Sequence, residues 1–333
     1  MNRFPLPHRL IVSAMSLAIS STAAAHDFDA RDFTRWGDPQ NIAAINTVAA
    51  AEGCPIESPD GLSLFIASNR SAPGAQGKLD VYRSRRSAVH RSWGLPENLG
   101  TQVNSTEFDY CPTPLRGRWL MFVTSRATVD DCYPGDTPPV APPGGPAAGD
   151  IYLTQEHPRR GWSPPLHLGC YPEGPNTAGA EFSPSLVNTH KDTFLYFSSN
   201  GYPDSQGQDI YMSRVLYDGT VLPGMRVREL SSPADDRMPN VRKDGLEIVF
   251  SSNRAGAVPF DQDIYVARRS SVKANWSAPV RIDNPFINTP ASETRASLSA
   301  DGKRLYFGRK LTVEDPGDIY VSQRSERRGR HDD

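Results

Sequence analysis

Apolar and polar residues alternate in five segments of the chain, and each segment predicts a β-strand. The segments mostly end in Ser, Asn and Arg, and they run from Leu64 to Arg70, Leu120 to Arg126, Leu195 to Gly201, Ile248 to Arg254 and Leu305 to Arg309. An Asp-aliphatic-Tyr triplet follows each one, beginning at Asp80, Asp150, Asp209, Asp263 and Asp318. The spacing gives a repeat of about 55 to 70 residues, so the chain is built from similar units.

A tryptophan follows the triplet in most copies. It stands 12 or 13 residues after the aspartate at Trp93, Trp162 and Trp276, and Leu222 takes its place in the third copy. A proline and an Asn-Ser or Asn-Thr pair generally come next. Each unit thus contains three clear strands and a shorter inner one, which is the content of a four-stranded propeller blade.

The phase of the repeat predicts how the ring closes. The chain opens with Trp36, Pro39 and the pair Asn46-Thr47, which match the outermost strand of a unit, and no such strand follows the last triplet at Asp318. The first segment therefore supplies the strand that the last blade lacks, and pairing the two ends leaves no open sheet edge. We predict an all-β fold, a single five-bladed β-propeller over residues 34–324.

The triplets and the Ser-Asn-Arg strand ends resemble the TolB-type, WD-like β-propeller repeat of exported bacterial proteins, over Trp36 to Arg324. This resemblance implies the propeller fold. TolB itself has six blades and a separate N-terminal domain, and five blades are counted here, so TolB's role in the cell envelope does not carry over. For partners, the resemblance implies a surface presented to a protein, peptide or glycan.

Residues 1–25 have the pattern of a secretory signal peptide, because Arg3 and Arg9 precede an apolar run and small residues end at Ala25. The apolar run is about half the roughly 20 residues that a membrane-spanning helix needs, so a transmembrane anchor is the weaker interpretation. We expect cleavage after Ala25 and a location in the periplasm or outside the cell. A flexible mature N-terminus at 26–33 and a disordered polar tail at 325–333 would flank the propeller.

Composition and charge agree with this interpretation. Glycine (26) and proline (30) make up about a sixth of the 333 residues, a level typical of many short strands joined by tight turns. Loss of Arg3 and Arg9 with the signal peptide takes the formal net charge from −2 to −4 without a block of one sign, which argues against nucleic acid as a partner. No later segment is apolar enough to span a bilayer, and we expect a monomer.

Residues that recur in every blade are interpreted first as structural. The triplet aspartates Asp80, Asp150, Asp209, Asp263 and Asp318 are expected to accept hydrogen bonds from turn amides and to meet an arginine at the end of the second strand. That arginine would be Arg70, Arg126, Arg254 or Arg309, with Gly201 in the third blade. Trp36, Trp93, Trp162 and Trp276 are expected to pack between blades, with sugar stacking as the alternative.

An acid precedes each innermost strand. These acids are Glu52, Glu107 or Asp109, Glu181, Asp236 and Glu293. Since inner strands line the channel of a propeller, the carboxylates are expected to ring its mouth and to bind a cation, a polyol or an arginine-bearing partner. The alternative is that each acid caps its own turn or pairs with a nearby arginine such as Arg237 or Arg295.

The four cysteines indicate disulfides in an oxidising compartment. Segment 127–149 inserts 23 residues with six prolines between two strands of the second blade, and Cys132 lies in it. We expect Cys132 to pair with Cys170 in the following connection. Cys54 and Cys111, at matching positions of neighbouring inner strands, form the natural second pair. Both bridges would stiffen one rim of the propeller, where we expect binding or catalysis, with passive packing as the alternative.

No motif of a known enzyme class stands out. The chain has no G-x-S-x-G, P-loop, H-E-x-x-H or EF-hand sequence. No cofactor or metal site is therefore predicted. The loop acids Asp130, Asp131, Asp204 and Asp261 could bind calcium but lack the spacing of a known loop, and His26, as a mature N-terminus, is a weak copper candidate.

Two functions remain. The favoured hypothesis is a non-catalytic binding or scaffold module that presents its acidic rim to a protein, peptide or glycan. The alternative is a carbohydrate-active enzyme, because five-bladed propellers are also the fold of arabinanase- and invertase-type glycosidases. Glycosidic cleavage needs two carboxyl groups, which would come from Glu52, Asp109, Glu181, Asp236 and Glu293. The similar sequence context of these acids counts against an enzyme, since a working pair needs unlike environments.

Overall fold

The computed structural model describes residues 33, 35–127, 132, 149–189, 191–254, 262–312 and 314–326. The predicted signal peptide at 1–25 lies outside the described residues, as do residues 26–32, residues 327–333 of the predicted tail and most of the insertion at 127–149. Two predicted boundary residues can be placed, because Phe33 and Glu326 pair in an antiparallel bridge.

Twenty-one strands form five sheets. In chain order they are β1 (Gln40–Asn41), β2 (Glu52–Glu57), β3 (Ser63–Ser68), β4 (Asp80–Arg85), β5 (Glu97–Asn98), β6 (Asp109–Pro114), β7 (Trp119–Thr124), β8 (Asp150–His157), β9 (Gly161–Trp162), β10 (Leu166–His167), β11 (Glu181–Asn188), β12 (Thr193–Ser199), β13 (Asp209–Val215), β14 (Met225–Arg226), β15 (Asp236–Val241), β16 (Glu247–Ser252), β17 (Asp263–Arg268), β18 (Val280–Arg281), β19 (Ser292–Leu298), β20 (Arg304–Lys310) and β21 (Asp318–Gln323). A short 3-10 helix covers Arg116–Arg118. Within the described residues no helix is long and apolar enough to cross a membrane.

Each sheet is one blade, and its strands run antiparallel from the channel outward. The orders are β2-β3-β4-β5, β6-β7-β8-β10, β11-β12-β13-β14, β15-β16-β17-β18 and β19-β20-β21-β1, with β9 pairing additionally with β8. Each inner strand contacts the inner strands of both neighbouring blades, so the five blades form a closed ring. The predicted five-bladed β-propeller is confirmed.

The ring closes through the two ends of the chain, as predicted. Strand β1 pairs with β21, with Gln40 opposite Val321 and Asn41 opposite Tyr320. The side chain of Asn46 continues this pairing, because its amide donates to the Ile319 carbonyl at 2.9 Å and its oxygen accepts from the Ile319 amide at 2.8 Å. A residue from the first segment thus satisfies a backbone position of the last strand that would otherwise lie at an edge.

The hydrophobic core lies within and between the blades. The aliphatic residue of every triplet is fully buried, at Val81, Ile151, Ile210, Ile264 and Ile319. The tryptophans lie where two blades meet: Trp93 packs with Ile42 and Tyr306, and Trp276 packs with Val187 and Tyr196. The alternation of apolar and polar residues in the second strands therefore does not produce a solvent-exposed face, because neighbouring blades cover both faces of each sheet.

The structure corrects the predicted partners of the triplet aspartates. Arg70, Arg126, Arg254 and Arg309 do not bind them, because these arginines reach the acids of the inner strands instead. The triplet aspartates meet residues of the outer strand. The partners of Asp80, Asp150, Asp209, Asp263 and Asp318 are, in that order, Asn98, His167, Arg226, Arg281 and Asn41. The second-strand arginine points toward the channel, so it lies closer to the inner acid.

Candidate functional site

The five inner-strand acids lie inside the blades. Glu52, Asp109, Glu181, Asp236 and Glu293 are each at most 3% exposed. Each carboxylate accepts from the backbone amide of a threonine or serine four or five residues earlier, which are Thr47, Ser105, Thr177, Ser232 and Thr289. Each acid thus ties the connection before its strand to the strand itself, and the structure places no open ring of carboxylates at the channel mouth.

An arginine pairs with four of these acids. Arg70 lies 2.9 Å from Glu52, Arg126 lies 2.9 Å from Asp109, and Arg309 lies 2.8 Å from Glu293. The fourth pair joins Arg254 and Asp236. Arg237 binds Asp235 instead, and Arg295 binds none of the five acids.

Glu181 is the exception. Gly201 stands where the other blades place the arginine, and the Glu181 carboxyl group accepts only from neutral donors: the Thr177 amide at 3.1 Å, the Thr177 hydroxyl at 2.6 Å and the Ser199 hydroxyl at 2.6 Å. Burial, and next the negative charge of Asp150, raise the pKa of Glu181 to about 8, although these hydrogen bonds oppose the rise. Glu181 is therefore protonated at neutral pH.

Asp150 lies beside Glu181 in a different environment. The Glu181 amide donates to the carbonyl of Gly149, which immediately precedes Asp150. The Asp150 carboxylate is 2.9 Å from His167 Nε2, and the Asn176 amide is 3.0 Å from the same ring nitrogen. Asp150 thus contacts an imidazole, whereas Glu181 contacts only hydroxyl groups and a backbone amide.

A disulfide lies beside the cluster formed by Glu181, Asp150 and His167. Cys132 and Cys170 are bonded, as predicted, and Cys132 Sγ lies 3.8 Å from His167 Nε2. The two sulfurs and the imidazole are close enough to hold a metal ion. Because the two sulfurs are bonded to each other, neither is available as the thiolate ligand that a soft metal would require.

Two tyrosine rings, one buried and one exposed, pack against each other. Tyr202 is buried and donates its hydroxyl to the Pro175 carbonyl at 2.7 Å. Tyr171 packs edge-on against Tyr202 with ring centroids 5.3 Å apart, and it is 44% exposed. An exposed aromatic ring packed on a buried one is a surface on which a sugar ring can stack.

Glu293 is the other inner acid with a strongly shifted pKa. Burial raises the pKa of Glu293 to about 7, although Thr289 and Arg309 oppose the rise. It lacks a carboxylate partner in a contrasting environment, because its charge partner is Arg309. Glu293 therefore matches Glu181 in burial but not in having a neighbouring acid.

The remaining predicted residues are scattered. Glu107 lies at the surface and pairs with Lys78 at 2.6 Å, and Asp204 accepts from the Tyr211 hydroxyl at 2.9 Å. Cys54 and Cys111 are unbonded in the structure, with their sulfurs 2.7 Å apart. The calcium candidates Asp130, Asp131 and Asp261 and the copper candidate His26 lie outside the described residues.

A concave surface lies between the first two blades, at the ends of the inner strands opposite to those where the acids stand. Phe65, Trp119 and Trp162 line a cavity of about 690 Å³. The hydrogen bond from Arg83 lowers the pKa of Glu156 in this cavity, and hydrogen bonds lower that of Asp60 against the effect of burial. Both acids are ionised at neutral pH, so this cavity lacks a proton donor of the kind that Glu181 provides.

Sequence reasoning missed His167 and Asn176. The signal for Asn176 was present, since it belongs to the Asn-Thr pair that recurs in most blades. His167 had no such signal because only in the second blade does a histidine occupy the outer-strand position that faces the triplet aspartate.

Comparisons with known proteins place the chain among five-bladed propellers. No protein-family model matches the chain, and no curated protein is similar to it in sequence. Among solved structures, a thermostable family-43 glycoside hydrolase is 14% identical, with 84% of this chain and 91% of that chain covered and a TM-score of 0.51. A second glycoside hydrolase is 11% identical, with coverages of 90% and 94% and a TM-score of 0.54. At these identities the similarity shows the fold.

The TolB resemblance finds less support than the fold. A TolB candidate from Agrobacterium tumefaciens is 15% identical over 87% of this chain and 91% of that chain, with a TM-score of 0.45. That TM-score is too low to carry an argument, so the propeller is established and the TolB-type repeat family is not.

The comparisons correct the favoured functional hypothesis. A non-catalytic binding or scaffold module with an acidic rim was expected, but the solved propellers similar to this chain include glycoside hydrolases. These enzymes share the fold of this chain and belong to the class that the sequence left as the alternative. The sequence argument against an enzyme assumed that all five acids share one environment, and Glu181 does not share it.

Proposed function

We propose that this protein is an exported carbohydrate-active enzyme that hydrolyses glycosidic bonds, with Glu181 and Asp150 as its pair of carboxyl groups. One observation carries the proposal: two neighbouring acids have unlike environments, because burial and the negative charge of Asp150 hold a proton on Glu181 at neutral pH, whereas Asp150 contacts the imidazole of His167. Glycoside hydrolysis requires such a division between a protonated and an ionised carboxyl group.

Glu181 is the proton donor in this proposal. Its pKa of about 8 keeps the proton available, and the absence of an arginine leaves only neutral donors around the carboxyl group. In the transition state Glu181 would protonate the oxygen of the leaving sugar, a contribution of about 10² to 10⁴ in rate.

Asp150 is the ionised partner, and it activates water or attacks the anomeric carbon. His167 and Asn176 fix the position of its carboxylate through the contacts at 2.9 and 3.0 Å around the imidazole Nε2. Such positioning holds the charge where the oxocarbenium-like transition state develops.

Tyr171 supplies the surface for the substrate. Its ring is exposed while its neighbour Tyr202 is anchored by hydrogen bonds to Pro175 and Gly224. A rigid aromatic ring offers a sugar face a large contact at low entropic cost. The substrate class is therefore a glycan of the extracellular or periplasmic space, which agrees with the predicted signal peptide.

The test is hydrolysis by the purified protein of arabinan, fructan and a panel of aryl-glycosides, with released sugars measured by chromatography. We expect cleavage of at least one substrate, and a decrease in kcat of about 10² to 10⁴ in Glu181→Gln. Glu293→Gln is the matched control, because Glu293 is equally buried and also has a raised pKa but lacks the neighbouring acid. Absence of cleavage across the panel, or equal losses in the two variants, would contradict the proposal.

A further inference from the structure

Five residues with left-handed backbone conformation lie around the channel. Each stands two positions after an inner-strand acid, at the irregularity in pairing between the first and second strands of its blade. They are Cys54, Cys111, Ser183, Met238 and Arg295, with φ between 48° and 57°. Since non-glycine residues rarely adopt this conformation, its repetition in every blade indicates that the fold imposes it in order to turn these side chains inward.

Two cysteines of this set contact each other between the first and second blades. The sulfurs of Cys54 and Cys111 are 2.7 Å apart, and the Ser183 hydroxyl donates to Cys111 Sγ at 3.2 Å. Cys111 is fully buried, whereas Cys54 is partly exposed. The pair therefore joins one partly exposed residue and one fully buried residue.

Arg295 extends into the same space from the fifth blade. Its side chain crosses to the second blade, where Nη2 donates to Thr113 Oγ1 at 3.3 Å. The residue is 1% exposed, and its Nε and Nη1 atoms have no hydrogen-bond partner among the described residues. No carboxylate in the described part of the chain forms an ion pair with it, in contrast to most other buried arginines here.

A buried guanidinium without a counter-charge destabilises the folded protein. The thiol pair can supply that charge. Burial alone would raise the pKa of Cys111, but the hydrogen bond from Cys54 and the charge of Arg295 outweigh it and lower this pKa to about 7. Burial and the neighbouring sulfur raise the pKa of Cys54. The pair thus shares one proton and carries one negative charge near neutral pH.

We propose that Cys54 and Cys111 form a redox-active dithiol that exchanges electrons with small disulfides of the glutathione class, and that Arg295 stabilises its reduced form. This inference is independent of the proposed hydrolase activity, because the channel residues are distinct from Glu181 and Asp150.

The reaction balances as a two-electron exchange. The proton that the pair shares first moves from Cys54 to Cys111, so that Cys54, the partly exposed residue, attacks the small disulfide as a thiolate, and one small thiolate leaves. Cys111 then loses its proton to solvent and attacks the Cys54 sulfur, which forms the protein disulfide and releases the second small thiolate. The dithiol is oxidised by two electrons, and the small disulfide is reduced to two thiols.

Arg295 makes this disulfide easy to reduce. Oxidation removes the negative charge from the pair and leaves the guanidinium buried without a counter-charge, so the oxidised state is penalised. A protein whose reduced thiolate is stabilised in this way has a comparatively oxidising disulfide. The Cys132–Cys170 disulfide is present in the same protein and serves as an internal reference.

The experiment equilibrates the purified protein in glutathione buffers of graded redox ratio and measures both cysteine pairs by alkylation and mass spectrometry. In the wild type we expect the Cys54–Cys111 bond to be reduced at least tenfold more readily than the Cys132–Cys170 bond. Arg295→Gln should shift the Cys54–Cys111 equilibrium at least tenfold toward the disulfide, which corresponds to about 30 mV, without moving the reference pair. Arg295→Lys keeps the charge and should remain near the wild type.

Two results would overturn the proposal. One is the absence of a Cys54–Cys111 bond at every redox ratio, and the other is the same equilibrium in Arg295→Gln as in the wild type. If Arg295→Gln does not fold, the wild type alone decides through the pH dependence of thiol alkylation in the reduced protein. An inflection near pH 7 supports the thiolate paired with Arg295, and an inflection near the ordinary cysteine value of about 8.5 refutes it.

Discussion

Glu181 has Gly201 at the position from which an arginine reaches the acid in the other four blades, and this single replacement separates its chemistry from theirs. A side chain at Gly201 has no room, because a Cβ atom there would lie 1.9 Å from Thr177 Oγ1, the hydroxyl that donates to Glu181. The glycine therefore leaves room for the Thr177 hydroxyl and provides no positive charge near Glu181.

The protonated state of Glu181 predicts how stability depends on pH. Its pKa of about 8 in the folded protein exceeds its ordinary value of 4.5, so the folded state binds this proton more tightly than the unfolded state. The resulting stabilisation is complete below about pH 4.5 and is lost as pH rises through about 8. We expect the free energy of unfolding in urea to fall by about 5 kcal/mol over this range.

Glu181→Gln serves as the comparison because an amide cannot ionise. The variant should keep a smaller decline that ends near pH 7, which belongs to Glu293. Identical pH profiles for the wild type and Glu181→Gln would show that Glu181 is ionised in the folded protein.

The arginines that pair with the other inner acids should be needed for folding. Arg254→Met leaves the carboxylate of Asp236, which is fully buried, without its charge partner, and we expect a loss of about 3 to 5 kcal/mol in the free energy of unfolding. The matched control is Arg281→Met in the same blade, because the Arg281 side chain is 43% exposed and its pair with Asp263 should contribute about 1 kcal/mol or less. Chemical denaturation measures both, and equal effects would contradict the assignment.

Closure of the ring through Asn46 gives a prediction about the chain ends. Asn46→Ala removes both hydrogen bonds to Ile319 and should cost about 2 to 3 kcal/mol. Asn288→Ala is the control, because Asn288 makes the equivalent bonds to Ile264 within the ring. We expect similar losses of stability in the two variants, but faster limited proteolysis near β1 only in Asn46→Ala. Equal proteolysis would mean that the closure does not depend on Asn46.

The fold could be derived from the sequence because it repeats. Five triplets, each with a strand before it, specify the unit, and the position of Trp36 relative to Asp318 specifies which ends must pair. Local patterning and the requirement that sheet edges be covered were sufficient. The Cys132–Cys170 bond also followed from sequence, since loop position limited the choices.

The site could not be derived in the same way. The five acids have similar sequence contexts because the blades repeat. Whether each acid is ionised depends on the charge of a partner that lies more than 15 residues away in the sequence. Arg70 is nearer to Asp80 in the sequence than Asn98 is, yet Arg70 binds Glu52 and Asn98 binds Asp80. The directions in which these side chains point from three neighbouring strands determine the pairing, and those directions depend on sheet twist and strand register.

The sequence by itself determined a ring of five similar four-stranded blades and its closure, because strand periodicity and edge pairing are encoded locally and repeat along the chain. Only the tertiary structure decided which acids are neutral and which buried arginine lacks a carboxylate partner among the described residues. Burial and charge at those places come from residues on different blades, and their proximity exists only once the ring has formed.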